Sequence, residues 1–193
     1  MTTTAPQTST RTFKGLDIPE AGTFAIDTAH SSVAFTVRHL VVAKTKGRFA
    51  DFAGAITIDD DPLKSSVEVT IQAASINTAE EQRDGHLRSA DFLDAENYPT
   101  LNFKSTAVQH KGGASFEVAG DLTVHGVTRN VKLALDYEGV VTDPWGGQRA
   151  VFSASTKINR EDFGLTYNQV LETGGVLVGK DVSIDLEIES VRQ

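Results

Sequence analysis

Apolar and polar residues alternate with period two along most of the chain. In SSVAFTVRH, Val33, Phe35, Val37 and His39 share one face and Thr36 and Arg38 the other, the signature of a strand with one buried side. The pattern returns in Val67 to Ala73, Leu101 to Ser105, Phe116 to Val124, Val131 to Tyr137, Phe152 to Ile158 and Val182 to Ile188. One wet face per strand argues for antiparallel hairpins, because a parallel sheet covered on both sides reads as continuous apolar runs. In GRFADFAGAITI, Phe52, Gly54, Ile56 and Ile58 agree in phase and Phe49 does not, which predicts a bulge in this segment or a kink at Gly54. His125-Gly126 and Gly112-Gly113 supply hairpin turns. Thr78-Ala-Glu-Glu81 reads as a capping box opening a short helical insertion over about residues 78–96, weakened at Gly85 and followed by a second candidate cap at Ser89. The predicted fold class is therefore all-β: an antiparallel barrel of about eight strands with one helical insertion.

Residues 1–22 are rich in Thr, Ser, Pro and Gly and read as a flexible N-terminal extension; residues 23–193 read as one barrel domain. The extension lacks the apolar stretch of a secretory signal, which points to the cytoplasm. No apolar run reaches the roughly 20 residues that span a bilayer, so stable membrane insertion is not expected.

Composition narrows the partners. With 18 Lys+Arg against 26 Asp+Glu, the net charge of −8 removes the diffuse attraction that nucleic-acid binding draws on. The absence of Cys excludes disulfides, thiolate metal sites and cysteine nucleophiles. No His pair has helical zinc spacing and no G-x-S-x-G occurs, so no catalytic residue, metal site or cofactor is assigned and a non-enzymatic role is expected. The segment Gly174 to Lys180 approximates a phosphate loop, but Asp181 stands where a hydroxyl should bind magnesium and strand alternation follows.

Several motifs occur together in one order: His30-Ser31, Gly47-Arg48-Phe49, Arg83-Asp84 with His86-Leu87-Arg88-Ser89, and Asp162-Phe163-Gly164. From about Thr23 to Ser190 the chain resembles the YceI-like family of lipocalin-like, polyisoprenoid-binding barrels. Leu93 departs from the second aromatic that the family often carries after Asp91-Phe92, and many members have a secretory signal not found in residues 1–22. The resemblance implies an extended eight-stranded lipocalin-like barrel whose lumen holds a long apolar chain, and a function of binding, sequestering or transporting a polyisoprenoid, isoprenoid quinone or fatty amphiphile. A strand of ten residues, roughly 33 Å long and tilted 35–45°, gives a lumen of about 25 Å.

The residues expected to line that lumen are Phe35, Val37, His39, Phe52, Ile71, Phe103, Phe116 and Phe152. Arg88, Trp145, Tyr167 and Asn168 are the rim or head-group candidates, with access through Thr142 to Arg149 or Leu165 to Gly175. The charged cluster of Arg83, Asp84, His86, Arg88 and Asp91 reads either as a clamp for a diphosphate or quinone head or as the anchor of the insertion. Two rival functions remain: an enzyme acting on a small apolar substrate with His39 as base, and an interaction or stress-response module with a filled core. The expected partner is a lipid, no nucleic acid, and a homodimer is left open.

Overall fold

The computed structural model describes residues 9–40, 42–170 and 175–193. Strands β1 (Thr10–Phe13) and β2 (Leu16–Pro19) form a separate hairpin. The barrel follows as β3 (Gly22–Ile26), β4 (Ser32–His39), β5 (Ala43–Phe49), β6 (Phe52–Ile58), β7 (Ser66–Gln72) and β8 (Ile76–Asn77). Helix α1 (Glu81–Arg88) precedes the long strands β9 (Thr100–Gly112), β10 (Ser115–Val124), β11 (Val127–Thr142), β12 (Gln148–Asn159) and β13 (Val178–Arg192).

Six of the short strands make three broken staves, β3 with β4, β5 with β6, and β7 with β8, so the closed antiparallel barrel has eight staves. Each stave pairs with its sequence neighbours, and β13 closes the ring on β12 (Leu186↔Ala154) and on β4 (Ile184↔Phe35). Closure leaves no long unpaired edge.

The breaks satisfy one another. Ala50 N donates to Ser75 O at 3.1 Å and Gln72 N to Asp51 O at 2.9 Å, joining the second and third breaks. At the first break, Ser31 Oγ donates to Glu189 O and accepts from Glu189 N, replacing a missing backbone partner. The Ala50-Asp51 break shifts the phase of the second stave, so Phe49 and Phe52 both face the lumen. The irregularity expected in this segment thus lies at Ala50-Asp51, whereas Gly54 pairs regularly and runs so close to β7 that a Cβ would collide with Glu68 O.

Two other expectations are corrected. The helix is capped by Glu80, whose carboxylate accepts from Gln82 N and Arg83 N, because Ala79 has a φ of +61° and helical geometry begins only after it. Thr78 instead gives its N–H and hydroxyl to Asp84 Oδ1, at 2.8 and 2.5 Å. Residues 89–98 form turns rather than a second helix.

The N-terminal extension is ordered from Ser9 onward; residues 1–8 lie outside the described residues. Lys14-Gly15, both at positive φ, turn the β1–β2 hairpin. Arg11 donates to Pro19 O, Asp59 O and Asp60 O, Tyr137 OH to Asp17 O at 2.9 Å, and Gln148 Nε2 to Ser9 O at 2.6 Å. Burial and the nearby Asp17 push the Tyr137 hydroxyl up to about 12, so it stays a donor. The hairpin thereby floors one barrel end, with Ile18 and Pro19 buried against the interior.

Candidate functional site

The interior is not filled. A cavity of about 260 Å³ occupies the half of the barrel next to α1; among the described residues only Thr156 and Arg160 in its wall have polar side chains, and the surface they present to it is carbon. Leu87 of α1, Phe92 and Leu93 in the following turns, and Phe163 and Leu165 after β12 close it as a lid. A second chamber of about 100 Å³ lies toward the N-terminal hairpin, and Val67 and Leu135 belong to both walls. Apolar space therefore runs most of the barrel's length.

Glycines keep the upper cavity open. Phe35 lies across Gly47, its partner on β5, and Phe103 lies across Gly120 on β10. A Cβ at Gly120 would fall 2.6 Å from Phe103 Cε2, and one at Gly47 2.8 Å from Phe35 Cε1. Without those methyls the rings lie flat on the wall rather than projecting into the lumen.

Of the expected lumen residues, Phe35, Val37, Phe52, Ile71 and Phe103 stand in the upper wall. Phe116 and Phe152 stand in the lower chamber, where Phe116 stacks on Phe13 and Phe152 packs against Tyr137. His39 ends β4 opposite Ala43 and Val178 and belongs to neither wall.

The rim candidates separate. Tyr167 meets His86 and Phe92 with ring centroids 5.0 Å apart, sealing the lid between α1 and the segment after β12. Asn168 exchanges two hydrogen bonds with the backbone of Val178. Trp145, 86% exposed, tips the β11–β12 turn at the opposite end of the barrel. The access stretch Leu165 to Gly175 is described only in part, since residues 171–174 lie outside the described residues.

Arg88 lies against backbone: Nε donates to Ala74 O at 2.9 Å and Nη2 to Ile76 O at 3.2 Å, with Nη1 on Glu81. Arg83 likewise donates to Thr78 Oγ1 and Thr78 O. Both guanidiniums tie α1 to the barrel rim.

Asp27, His30 and Glu189 also cluster, at the first stave break. Arg149 Nη1 donates to Asp27 Oδ2 at 2.7 Å and Glu189 Oε1 at 2.6 Å, and its Nε donates to Asp143 Oδ2 at 3.0 Å. The oxygens that could face a cation already face this guanidinium. Arg149, then His30, hold the Asp27 carboxyl down at about 2.

Sequence reasoning missed the lid residues Leu87, Phe92, Phe163 and Leu165, and missed Arg160. The apolar character of the four lid residues was visible, but they and Arg160 sit in the insertion and the post-β12 turn, where no period-two pattern marks an inward face.

A family model described as the YceI-like domain matches residues 24–190. The chain belongs to the YceI-like family. A UPF0312 protein of Vibrio cholerae is 40% identical over 176 residues, covering 90% of this chain and 89% of that protein. The crystal structure of Burkholderia cenocepacia BcnA superposes with a TM-score of 0.73 at 24% identity, over 85% of this chain and 98% of BcnA. A polyisoprenoid-binding domain from Saccharophagus degradans reaches a TM-score of 0.66 at 14% identity, over 90% of this chain and all of that domain. The YceI-like barrel is thus the shared scaffold. Among the described residues, no helix is long and apolar enough to cross a membrane.

Proposed function

We propose that the protein binds one long-chain apolar ligand, a polyisoprenoid, isoprenoid quinone or fatty amphiphile, and sequesters or exchanges it. The observation that carries this reading is the cavity of about 260 Å³, walled by carbon beneath a lid of apolar side chains. A barrel of this size can be filled by its own side chains; here glycines hold two aromatic rings back from the centre. The polyisoprenoid-binding domain of S. degradans has the same fold and lends support to the ligand class. The position of His39 outside both walls gives the enzyme reading no base in the lumen.

Energetics favour exchange over irreversible capture. Each buried CH₂ is worth about 0.8 kcal/mol against water, but a lipid already resting in a bilayer has lost that contact with water. Transfer between two apolar environments nearly cancels the hydrophobic gain, leaving shape, length and head-group contacts to decide affinity. The tail of the ligand lies toward the lower chamber, where Ile18 and Pro19 limit its length.

Intact-complex mass spectrometry of gently purified protein should show an apolar ligand at one copy per chain, released by organic extraction. Adding a binding lipid at about 100 times its Kd stabilises the fold by about 2.7 kcal/mol, or roughly 5–11 °C in Tm for a domain of this size. Ligand-free protein from several hosts, with no Tm response to prenyl or acyl chains, would refute the reading.

A further inference from the structure

Exposed apolar side chains gather at the end of the barrel that carries α1. Val42, in the β4–β5 turn, is 83% exposed and Val170, in the segment after β12, is 85% exposed, with Leu40 and Val176 also open to solvent. Backbone contacts bring the two segments together: Leu40 N donates to Leu177 O at 3.0 Å, Val42 N to Leu40 O at 2.7 Å, and Val170 bridges Val176 in antiparallel register. A valine left this open gains almost nothing from the hydrophobic effect on folding. Tyr167, three residues before Val170, belongs to the ring seam with His86 and Phe92, so the apolar tip adjoins the seam of the lid.

The outer face of the same hairpin is cationic. Arg38, Lys44, Lys46 and Arg48 are exposed, and no Asp or Glu occurs between Thr36 and Phe49. The register sets Arg38 directly opposite Lys44, where a sheet favours opposite charges. Among the described residues, Lys44, Lys46 and Arg48 enter no ion pair. Three carboxylates at this end are engaged, Glu161 by Lys180, Glu81 by Arg88 and Asp91 by His86. The opposite end also shows an exposed apolar ring, Trp145, but there Asp27, Asp143 and Glu189 surround one guanidinium, Arg149. The chain as a whole carries −8.

We infer that the α1 end of the barrel docks on an anionic lipid bilayer, with Val42 and Val170 entering the interface and Arg38, Lys44 and Lys46 facing the lipid phosphates. Each Lys or Arg near such a surface is worth about fivefold in partition. The apolar side chains add to this by leaving water. The rest of a chain of charge −8 is repelled by the same surface, so this end is the one presented. The lid seam then meets the bilayer, and a chain passes between membrane and lumen without crossing water. That purpose rests on the lumen being the lipid site; the docking itself is measured apart from it.

The test floats full-length protein with vesicles of phosphatidylcholine alone and with vesicles in which about a third of the lipid is phosphatidylglycerol. Binding is expected to the anionic vesicles alone and should fall as salt rises. Lys44→Gln with Lys46→Gln should weaken it roughly 25-fold, and Val42→Ser with Val170→Ser about tenfold or more. Trp145→Ser should leave it unchanged, and all of these variants should keep the native Tm because the positions are exposed. Absence of binding, equal binding to both vesicles, or binding that survives the Lys and the Val pairs would overturn the docking. Loss in Trp145→Ser alone would move the contact to the other end and overturn it equally. Self-association abolished by the Val pair, without vesicle binding, would assign the patch to a second copy instead. Mass spectrometry of the same samples reads the lumen separately: loaded protein that does not float refutes the docking and keeps the lipid site, and floating protein that never carries a chain does the reverse.

Discussion

Gly120→Ala tests whether glycine holds the lumen open. The new Cβ would lie 2.6 Å from Phe103 Cε2 and 2.7 Å from Lys104 O, so something must move. The carbonyl belongs to the β9–β10 ladder and resists, while the Phe103 ring has the cavity in front of it. Overpacking of this kind costs about 1–3 kcal/mol, a fall in Tm of roughly 2–12 °C for a domain of this length. The functional effect should exceed the structural one. Phe103 already lines the cavity of about 260 Å³, and a ring pushed off the wall by the new methyl moves into the path of a ligand chain. Chain binding should therefore fall sharply while the fold persists. Thermal melts and lipid titrations of Gly120→Ala, Phe103→Leu and the double variant give the cycle. Coupling of about 0.5–3 kcal/mol between adjoining sites, with binding recovered in the double variant, is the expected result. Additive stabilities with undiminished binding in Gly120→Ala would show that the glycine does not position the ring.

Gly85→Ala places a methyl in open space within α1 and should stabilise the protein by about 0.5–1 kcal/mol, read as a higher denaturation midpoint. Arg88→Gln frees the carbonyls of Ala74 and Ile76 and should lower Tm while leaving any preference for acidic over neutral lipids unchanged; loss of that preference would make Arg88 a head-group clamp. Asp27, held at about 2 against an ordinary 3.8, contributes stability that is fully present only above about pH 5 and is lost progressively as pH falls through 3.8 and then through about 2. Acid titration of Tm should show that loss, and Asp27→Asn should flatten it.

The staves were legible because one wet face imposes period two, and Val33 to Val37 or Val182 to Ile188 could hardly serve another fold. The N-terminal hairpin was not. Thr10–Phe13 and Leu16–Pro19 have too little apolar alternation to declare themselves, and their order comes from Arg11, Tyr137 and Gln148 reaching the backbone across the barrel end. The helix start shifted because Ala79 sits at positive φ, a conformation that no propensity assigns to alanine. The glycine–ring pairs depend on cross-strand register, which hydrophobic patterning fixes only once all eight staves are closed. Arg160 was hidden for a similar reason: in INREDFG it reads as one charge among three, and only the folded chain separates Glu161, taken by Lys180, from a guanidinium left among carbonyls.

The two barrel ends are fastened differently, and this decides where a ligand enters. Hydrogen bonds from Arg11, Tyr137 and Gln148 hold the N-terminal hairpin, and the ring of Phe13 packs on Phe116 and His110. Opening that end breaks several part-buried hydrogen bonds at once. At the other end, α1 is tied firmly to the rim by Arg83, Asp84 and Arg88. The seam between α1 and the segment after β12, however, is made by the rings of His86, Phe92 and Tyr167. Ring contacts of this kind are worth about 0.5–1.5 kcal/mol each beyond the area they bury, and an entering acyl or prenyl chain replaces the apolar contact it disturbs. On the proposed function, the seam between α1 and the segment after β12 is therefore the end expected to yield to an entering chain.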